Sequence, residues 1–279
     1  MRVIKTSEVK NNVKEMLLDA CYNIPQNVLD ALEKTKNEEM SPLCKEVIDR
    51  IIENDLLARN KKVPMCQDTG IVVVFLEVGC EVSFDGDIND AINQGIKEAY
   101  TEGYLRKSVV KHPLDRVNTK DNTPGIIHIK YVKGDRLKIT VAPKGGGSEN
   151  MSAIKMLVPA DGVNGIKKFV LDVVSLSGGK PCPPIVVGLG IGGDFEKCAL
   201  LAKEALMREI DDINPDPILR QLEEELLAEI NKLGIGAMGF GGTQTCMAVK
   251  ANAYPCHIAS LPVAINIQCH AARHKSVIM

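Results

Sequence analysis

Near residue 70 the sequence changes texture, and that change sets the fold class. Before it, apolar residues recur at helical spacing (Val9, Val13, Met16, Leu17, Ala20), and the pattern continues through residues 28–32 and 43–57. Asn27 and Ser41 read as helix N-caps, and Pro42 suits a first turn. After it, Ile71-Val72-Val73-Val74-Phe75 is a β-rich run bounded by Gly70 and Gly79. From there the two patterns mix. Residues 87–100, 163–176, 195–210 and 218–233 read as helices, the last two split by Asn214-Pro215-Asp216-Pro217. Residues 185–191, 246–251 and 262–267 read as strands. Residues 126–132 and 137–141 flank Lys133-Gly134-Asp135, which reads as a hairpin turn. The expectation is an α/β (α+β) chain with mixed sheets flanked by helices. It forms one domain over 1–279, with a two-lobe division near residues 120–180 as the variant. No internal repeat is evident.

Charge excludes some partners. Lys plus Arg number 34 against 36 Asp plus Glu, which leaves no electrostatic footprint for nucleic acid or an anionic membrane. Trp is absent, so base-stacking platforms are scarce. No apolar stretch is long enough to span a bilayer, and the first residues lack the apolar core of a secretory signal. A cytoplasmic location is the expectation.

Gly188-Leu-Gly190-Ile-Gly192-Gly193 matches the dinucleotide fingerprint, after a strand and before a helix. That motif needs a second parallel strand after the helix, and here another helix pattern follows. The preferred reading is a tight strand-to-helix turn with close backbone approach, not a nicotinamide site. Gly145-Gly146-Gly147 fits either an anion-binding nest or a plain turn. A further glycine-rich loop runs from Gly234 to Gly242.

Nine cysteines with no CxxC pair argue against both a disulfide framework and a zinc ribbon. Most read as small buried hydrophobes. Three sit on predicted turns beside polar residues: Cys66 in Met-Cys-Gln-Asp-Thr-Gly, Cys182 in Lys-Pro-Cys-Pro-Pro, and Cys269 in Gln-Cys-His-Ala-Ala-Arg-His. Cys256, in Tyr-Pro-Cys-His, is also in a loop, so the residues alone do not choose a set.

Four ordered motifs make the choice. Pro64-Met-Cys66-Gln67-Asp68-Thr69-Gly70, Lys144-Gly-Gly-Gly147-Ser148, Pro181-Cys182-Pro-Pro184 and His257-Ile-Ala-Ser-Leu-Pro-Val-Ala resemble the class I fumarate hydratases, a family that includes L-tartrate dehydratase. The resemblance covers nearly the whole chain. It implies a [4Fe–4S] cluster held by Cys66, Cys182 and Cys269. Clusters that only carry electrons normally have four cysteines, so three leave one iron open, as a Lewis acid needs. It implies substrate contacts from Gln67, Asp68, Arg106, Gly147 and His257, with Asp68 exchanging a proton with the substrate hydroxyl. His270 and His274 receive no direct role beyond tuning the cluster.

Single-chain members of that family continue for roughly another domain. This chain therefore resembles an α subunit that needs a separate β subunit in an α2β2 assembly acting on a small dicarboxylate. The expected reaction is reversible hydration of fumarate to L-malate. The alternatives are the α subunit of L-tartrate dehydratase and, in another class, a metal-free binding or regulatory module.

Overall fold

The computed structural model describes residues 1–279, which divide into two units. Unit 1 comprises Met1–Ile24, Asn54–Gly146 and Arg273–Met279; unit 2 comprises Pro25–Glu53 and Gly147–Ala272. No helix is long and apolar enough to cross a membrane.

Unit 1 is built on a four-stranded sheet of order β10-β5-β2-β4: β10 (Lys275–Ile278), β5 (Leu137–Lys144), β2 (Ile71–Gly79) and β4 (Ile126–Val132). The expected hairpin does not form. β4 and β5 lie on opposite sides of β2, one parallel to it and the other antiparallel. The reason is burial. β2 and β5 are mostly buried, with no exposed residue, and pair at the centre, while β4 is largely exposed and takes an edge. Gly79 lets residues 79–81 pass under the 133–136 turn, since a Cβ there would lie 2.3 Å from the Gly134 oxygen.

Helices α1 (Thr6–Tyr22) and α4 (Ile88–Glu102) supply the rest of this core. Val9, Val13 and Leu17 of α1 meet Ile92, Ile96 and Tyr100 of α4 over Val72, Val74 and Ile139. Each fully buried aliphatic side chain contributes about 1.5–3 kcal/mol. Asp87 caps α4, accepting from the backbone of Asn89 and Asp90. A small parallel pair, β1 (Arg2–Ile4) with β3 (Val82–Phe84), completes the unit.

Unit 2 repeats that topology, although no repeat is visible in the sequence. Its sheet has the order β6-β9-β7-β8: β6 (Ala153–Leu157), β9 (Leu261–Gln268), β7 (Ile185–Gly192) and β8 (Cys246–Tyr254). The central β7 pairs with β8 in parallel and β9 antiparallel, as β2 does with β4 and β5. Helices α6 (Gly162–Ser177), α7 (Phe195–Ala205) and α8 (Pro217–Asn231) belong to this unit. Val170 and Val174 of α6 and Leu226 and Ile230 of α8 close its core over Val187, Leu189 and Ile265.

Two helix boundaries differ from expectation. Pro25, not Asn27, begins α2 (Gln26–Glu38), and the Asn27 amide instead donates to Glu209. Helix α7 ends at Ala205 rather than 210, because Arg208 is drawn into a polar knot with Asp212, Glu223 and the Ala251 carbonyl. Ser41 does cap α3 (Pro42–Lys61), accepting from Cys44 N at 3.4 Å.

The glycines of the tempting fingerprint serve packing. A Cβ on Gly188 would lie 2.2 Å from the Ala202 oxygen, and one on Gly190 would lie 1.9 Å from the Cys198 oxygen. They let α7 lie directly on β7. The α7 N-terminus, where a phosphate would sit, is capped by the Asp194 carboxylate through Lys197 N.

Candidate functional site

The nine cysteines sort by exposure. Cys21, Cys44, Cys198 and Cys246 are buried, Cys80 and Cys256 are exposed, and Cys66, Cys182 and Cys269 alone are intermediate. A cysteine binds metal as its thiolate. Burial pushes the Cys21 thiol up to about 11 and Cys246 up to about 12, and raises Cys198 as well. Those three are packing residues. The Cys44 thiol donates to the Gly241 carbonyl at 2.8 Å.

In unit 1 the segment from Pro64 to Gly70 leads into β2 and is held by its main chain. Asn54 Nδ2 donates to the Met65 carbonyl at 2.8 Å. Arg273 Nη2 donates to the Asp68 carbonyl at 2.6 Å, and Tyr100 donates to the Thr69 carbonyl at 2.6 Å. Asn122 Nδ2 donates to the Gly70 carbonyl at 3.1 Å. Gly70 is obligatory: its φ is +78, and a Cβ would lie 2.6 Å from the Lys144 carbonyl.

On that platform Cys66 Sγ accepts from Asp68 N at 3.4 Å and faces Gln67 Oε1 at 3.4 Å. Gln67 itself is exposed. The Asp68 carboxylate accepts from Gly70 N at 3.1 Å and from Gly146 N at 2.8 Å. The glycine triplet thus receives an anion, and the anion is the protein's own carboxylate. Arg106 is brought to the same place through its backbone, whose carbonyl accepts from Thr69 Oγ1 at 3.0 Å. Its side chain is exposed. Unit 1 therefore gathers Cys66, Gln67, Asp68 and Arg106.

Beneath this loop lies a buried acid. Asp55 is fully buried, and its Oδ2 has no hydrogen-bond partner. Burial pushes its carboxyl up to about 6, against the lowering influence of Asn54, Arg273 and Arg59. Arg273, itself buried, thus carries a counter-charge on one side and the Asp68 main chain on the other.

In unit 2 the segment from Gly178 to Pro184 leads into β7. Cys182 adopts φ +56, an unusual conformation for a residue with a side chain. Its carbonyl accepts from His270 N at 3.2 Å, and its N–H donates to the Gly179 carbonyl at 3.1 Å. Cys182 and Cys269 are thereby neighbours, as the register Val186 to Gln268 requires. Gln268 Nε2 lies 3.5 Å from Cys269 Sγ. Gly147 joins them, since a Cβ on it would meet the Lys180 carbonyl at 3.4 Å.

His257 is not in that group. It lies in the exposed β8–β9 loop, with Nδ1 accepting from Ala259 N at 3.1 Å. Cys269 follows the other end of β9. Eight strand residues at about 3.3 Å each put the two on the order of 20 Å apart.

Cys66 lies in unit 1, and Cys182 and Cys269 lie in unit 2. No three His, Cys, Asp or Glu side chains converge on one metal position. Each cysteine of a [4Fe–4S] cluster binds a different iron, so such a cluster does not require single-ion convergence. Cys66 in unit 1 and Cys269 in unit 2 each carry a partly exposed sulfur with an N–H donor close by, and Cys182 is partly exposed as well, as a cluster ligand needs. Sequence reasoning missed Tyr100, Asn122, Arg273 and Asp55, because their roles depend on burial that no local pattern carries.

Residues 10–278 match the family model described as Fumarate hydratase (Fumerase). The chain is 46% identical over 273 residues to the Methanocaldococcus jannaschii protein named "Putative L(+)-tartrate dehydratase subunit alpha", covering 95% of each chain. It is 31% identical over 281 residues to the L(+)-tartrate dehydratase subunit alpha of Escherichia coli strain K12, covering 99% of this chain and 91% of that one. Its counterpart in strain UTI89 is 32% identical over 275 residues, with 97% and 89% covered.

Proposed function

Because the chain belongs to the fumarate hydratase family of hydro-lyases, we propose that it is the α subunit of a [4Fe–4S]-dependent enzyme that adds water to fumarate to give L-malate, reversibly. The observation that carries this reading is the exposure sort. Of nine cysteines, the three half-exposed ones are the three that the family motifs point to.

Cys66, Cys182 and Cys269 would hold the cluster, whose open iron supplies Lewis-acid activation of a substrate hydroxyl and carboxylate oxygen. The chain's own residues do the rest. Asp68 moves the hydroxyl proton. The Gly70 and Gly146 N–H groups fix its carboxylate in orientation, and Arg273 fixes its backbone. Arg106 offers a planar guanidinium to a substrate carboxylate, bidentately. The Gly147 backbone and Gln67 contribute hydrogen bonds. His257, at the far end of β9, serves a substrate held near Cys182 and Cys269 only from a second copy of the chain. That accords with an α2β2 assembly in which the β subunit completes the site and this chain alone is nearly inactive.

A second reading has its own support. The relatives reported above are named L(+)-tartrate dehydratase subunit alpha. Tartrate carries one hydroxyl more than malate, and a site built to hydrogen-bond that hydroxyl rejects the analogue lacking it by about 10⁴–10⁵. Anaerobic reconstitution with the β subunit, followed by assay on fumarate, L-malate and L-tartrate, decides between them. Absence of iron and sulfide after that reconstitution would refute the hydro-lyase proposal and leave a metal-free module.

A further inference from the structure

The glycine-rich loop at residues 234–242 has no part in the function argued so far, yet it abuts the Cys182 loop. Met238 N donates to the Pro183 carbonyl at 2.7 Å. A Cβ on Gly179 would lie 2.9 Å from the Met238 oxygen and 3.1 Å from Gly239 Cα. Just beyond the loop, Thr245 accepts from Ile185 N at 2.8 Å. The segment carrying Cys182 is thus braced at Gly179, Pro183 and Ile185 by residues 238–245.

The bracing loop has its own anchor. Glu39, fully buried at the end of α2, accepts from Met40 N, Ser41 N, Thr243 N and Thr243 Oγ1 with Oε1, at 2.7, 2.8, 2.9 and 3.0 Å. Its Oε2 accepts from Gln244 N at 2.9 Å. No cation is paired with it. Burial pushes its carboxyl up, and the donations from Ser41, Thr243 and Gln244 outweigh that and hold it below the usual range. Cys44, one turn into α3, adds its bond to the Gly241 carbonyl. The glycines close the fit: a Cβ on Gly242 would lie 2.7 Å from Glu39 Oε2, and one on Gly236 would lie 3.0 Å from Cys44 Sγ.

We propose that Glu39 is a positioning residue for Cys182: its buried carboxylate clamps Thr243 and Gln244, the clamped loop braces Gly179 and Pro183, and the brace holds the Cys182 thiol at the angle at which it meets a cluster. Cys182 needs this support because it sits in a left-handed conformation that a side-chain-bearing residue leaves unless its surroundings hold it there. The proposal rests on the reading of Cys182 as a ligand, and its test separates the two.

Thiol alkylation of the metal-free chain, resolved by peptide mass spectrometry, reads the placement of Cys182 without any cluster. Glu39→Gln keeps the shape and removes the charge. The expected result is a Cys182 alkylation rate several-fold faster than wild type, with Cys66 and Cys80 unchanged and Cys21 and Cys246 still protected. The same variant, reconstituted anaerobically in the αβ complex, should lose its iron several-fold faster to a chelator and show an altered electron paramagnetic resonance spectrum when reduced. Thr243→Val, which removes one donor to Glu39, should move every readout in the same direction by less. It decides the matter if Glu39→Gln does not fold. Alkylation of Cys182 unchanged in both variants, or rising equally at Cys66, would overturn the proposal. A wild-type complex that takes up no iron would refute the ligand reading while leaving the alkylation test intact.

Discussion

The conformation of Cys182 makes an inverted stability ordering the sharpest expectation. At ordinary positions alanine is more stabilising than glycine by about 0.5–1 kcal/mol, because glycine loses more freedom on folding. At φ +56 a side chain costs about 1–2 kcal/mol against the following carbonyl, a cost that glycine does not carry. Replacing Cys182 by either residue removes the same thiol, so the lost sulfur contacts cancel between the two variants. What remains is the left-handed penalty less the glycine entropy, about 0–1.5 kcal/mol with a midpoint near 0.75, in favour of glycine. For a chain of this size that is about 2 °C in melting temperature. The assay is urea and thermal unfolding of the two metal-free proteins side by side. Cys182→Gly should be the more stable, although neither binds a cluster. Equal stability, or Cys182→Ala ahead, would mean that Cys182 does not hold this conformation in solution, and the argument for its bracing would fall with it.

The other expectations concern separate features. Asp68→Asn should lower kcat of the αβ complex by about 10²–10⁴ while iron content stays at the wild-type level, since it removes a proton-handling group and no ligand; iron loss in parallel would reassign Asp68 to a structural part. Asp55, with its carboxyl raised to about 6, binds a proton in the folded chain that the unfolded chain has released, so its contribution to stability falls as pH rises from about 4 to 6. Denaturation at pH 5 and 7 should show wild type losing about 1 kcal/mol relative to Asp55→Asn over that interval. Gly190→Ala must push the α7 backbone off β7 from a 1.9 Å approach and should cost about 1–3 kcal/mol, read as a lower urea midpoint. Co-expression of His257→Ala with Cys182→Ala chains should restore about one quarter of wild-type activity if His257 acts across two copies, because mixed pairs contain one intact site; no restoration would return His257 to a structural part.

Local chemistry was legible where it was decided locally. The α1 stripe and the Ser41-Pro42 start of α3 follow from spacing and capping alone, whereas Asp216 and Pro217, read only as breakers, cap and open α8. Pairing was not. The 133–136 turn looks like a hairpin, because nothing within it reveals that the more buried β2 will occupy the place between its two strands. The short edge strands β1, β3, β6 and β10 carried too little apolar pattern to be seen. The positions of the three cysteines came from family motifs, whereas the groups that brace them (Arg273, Tyr100, Glu39) are defined by what they touch across the fold. No periodicity marks a residue for that.

The repeated topology explains where the candidate site residues fall. In each sheet the central strand runs antiparallel to its inner neighbour, so the loop entering one and the segment leaving the other meet at the same edge. In unit 1 that edge joins Asp68 to Gly146, where Ile71 pairs with Lys144. In unit 2 it joins Cys182 to His270, where Val186 pairs with Gln268. The two contacts occupy equivalent places, each made between the strand's entrance loop and the first residues beyond its partner. Loops tolerate unusual backbone best when rigid strands hold their ends, and here both ends of each functional segment are held. The proposed ligand and proton-transfer positions thus sit at equivalent places in two copies of one strand arrangement. By the same logic His257, at the opposite edge of its sheet, belongs to a different contact from the one Cys182 and Cys269 make.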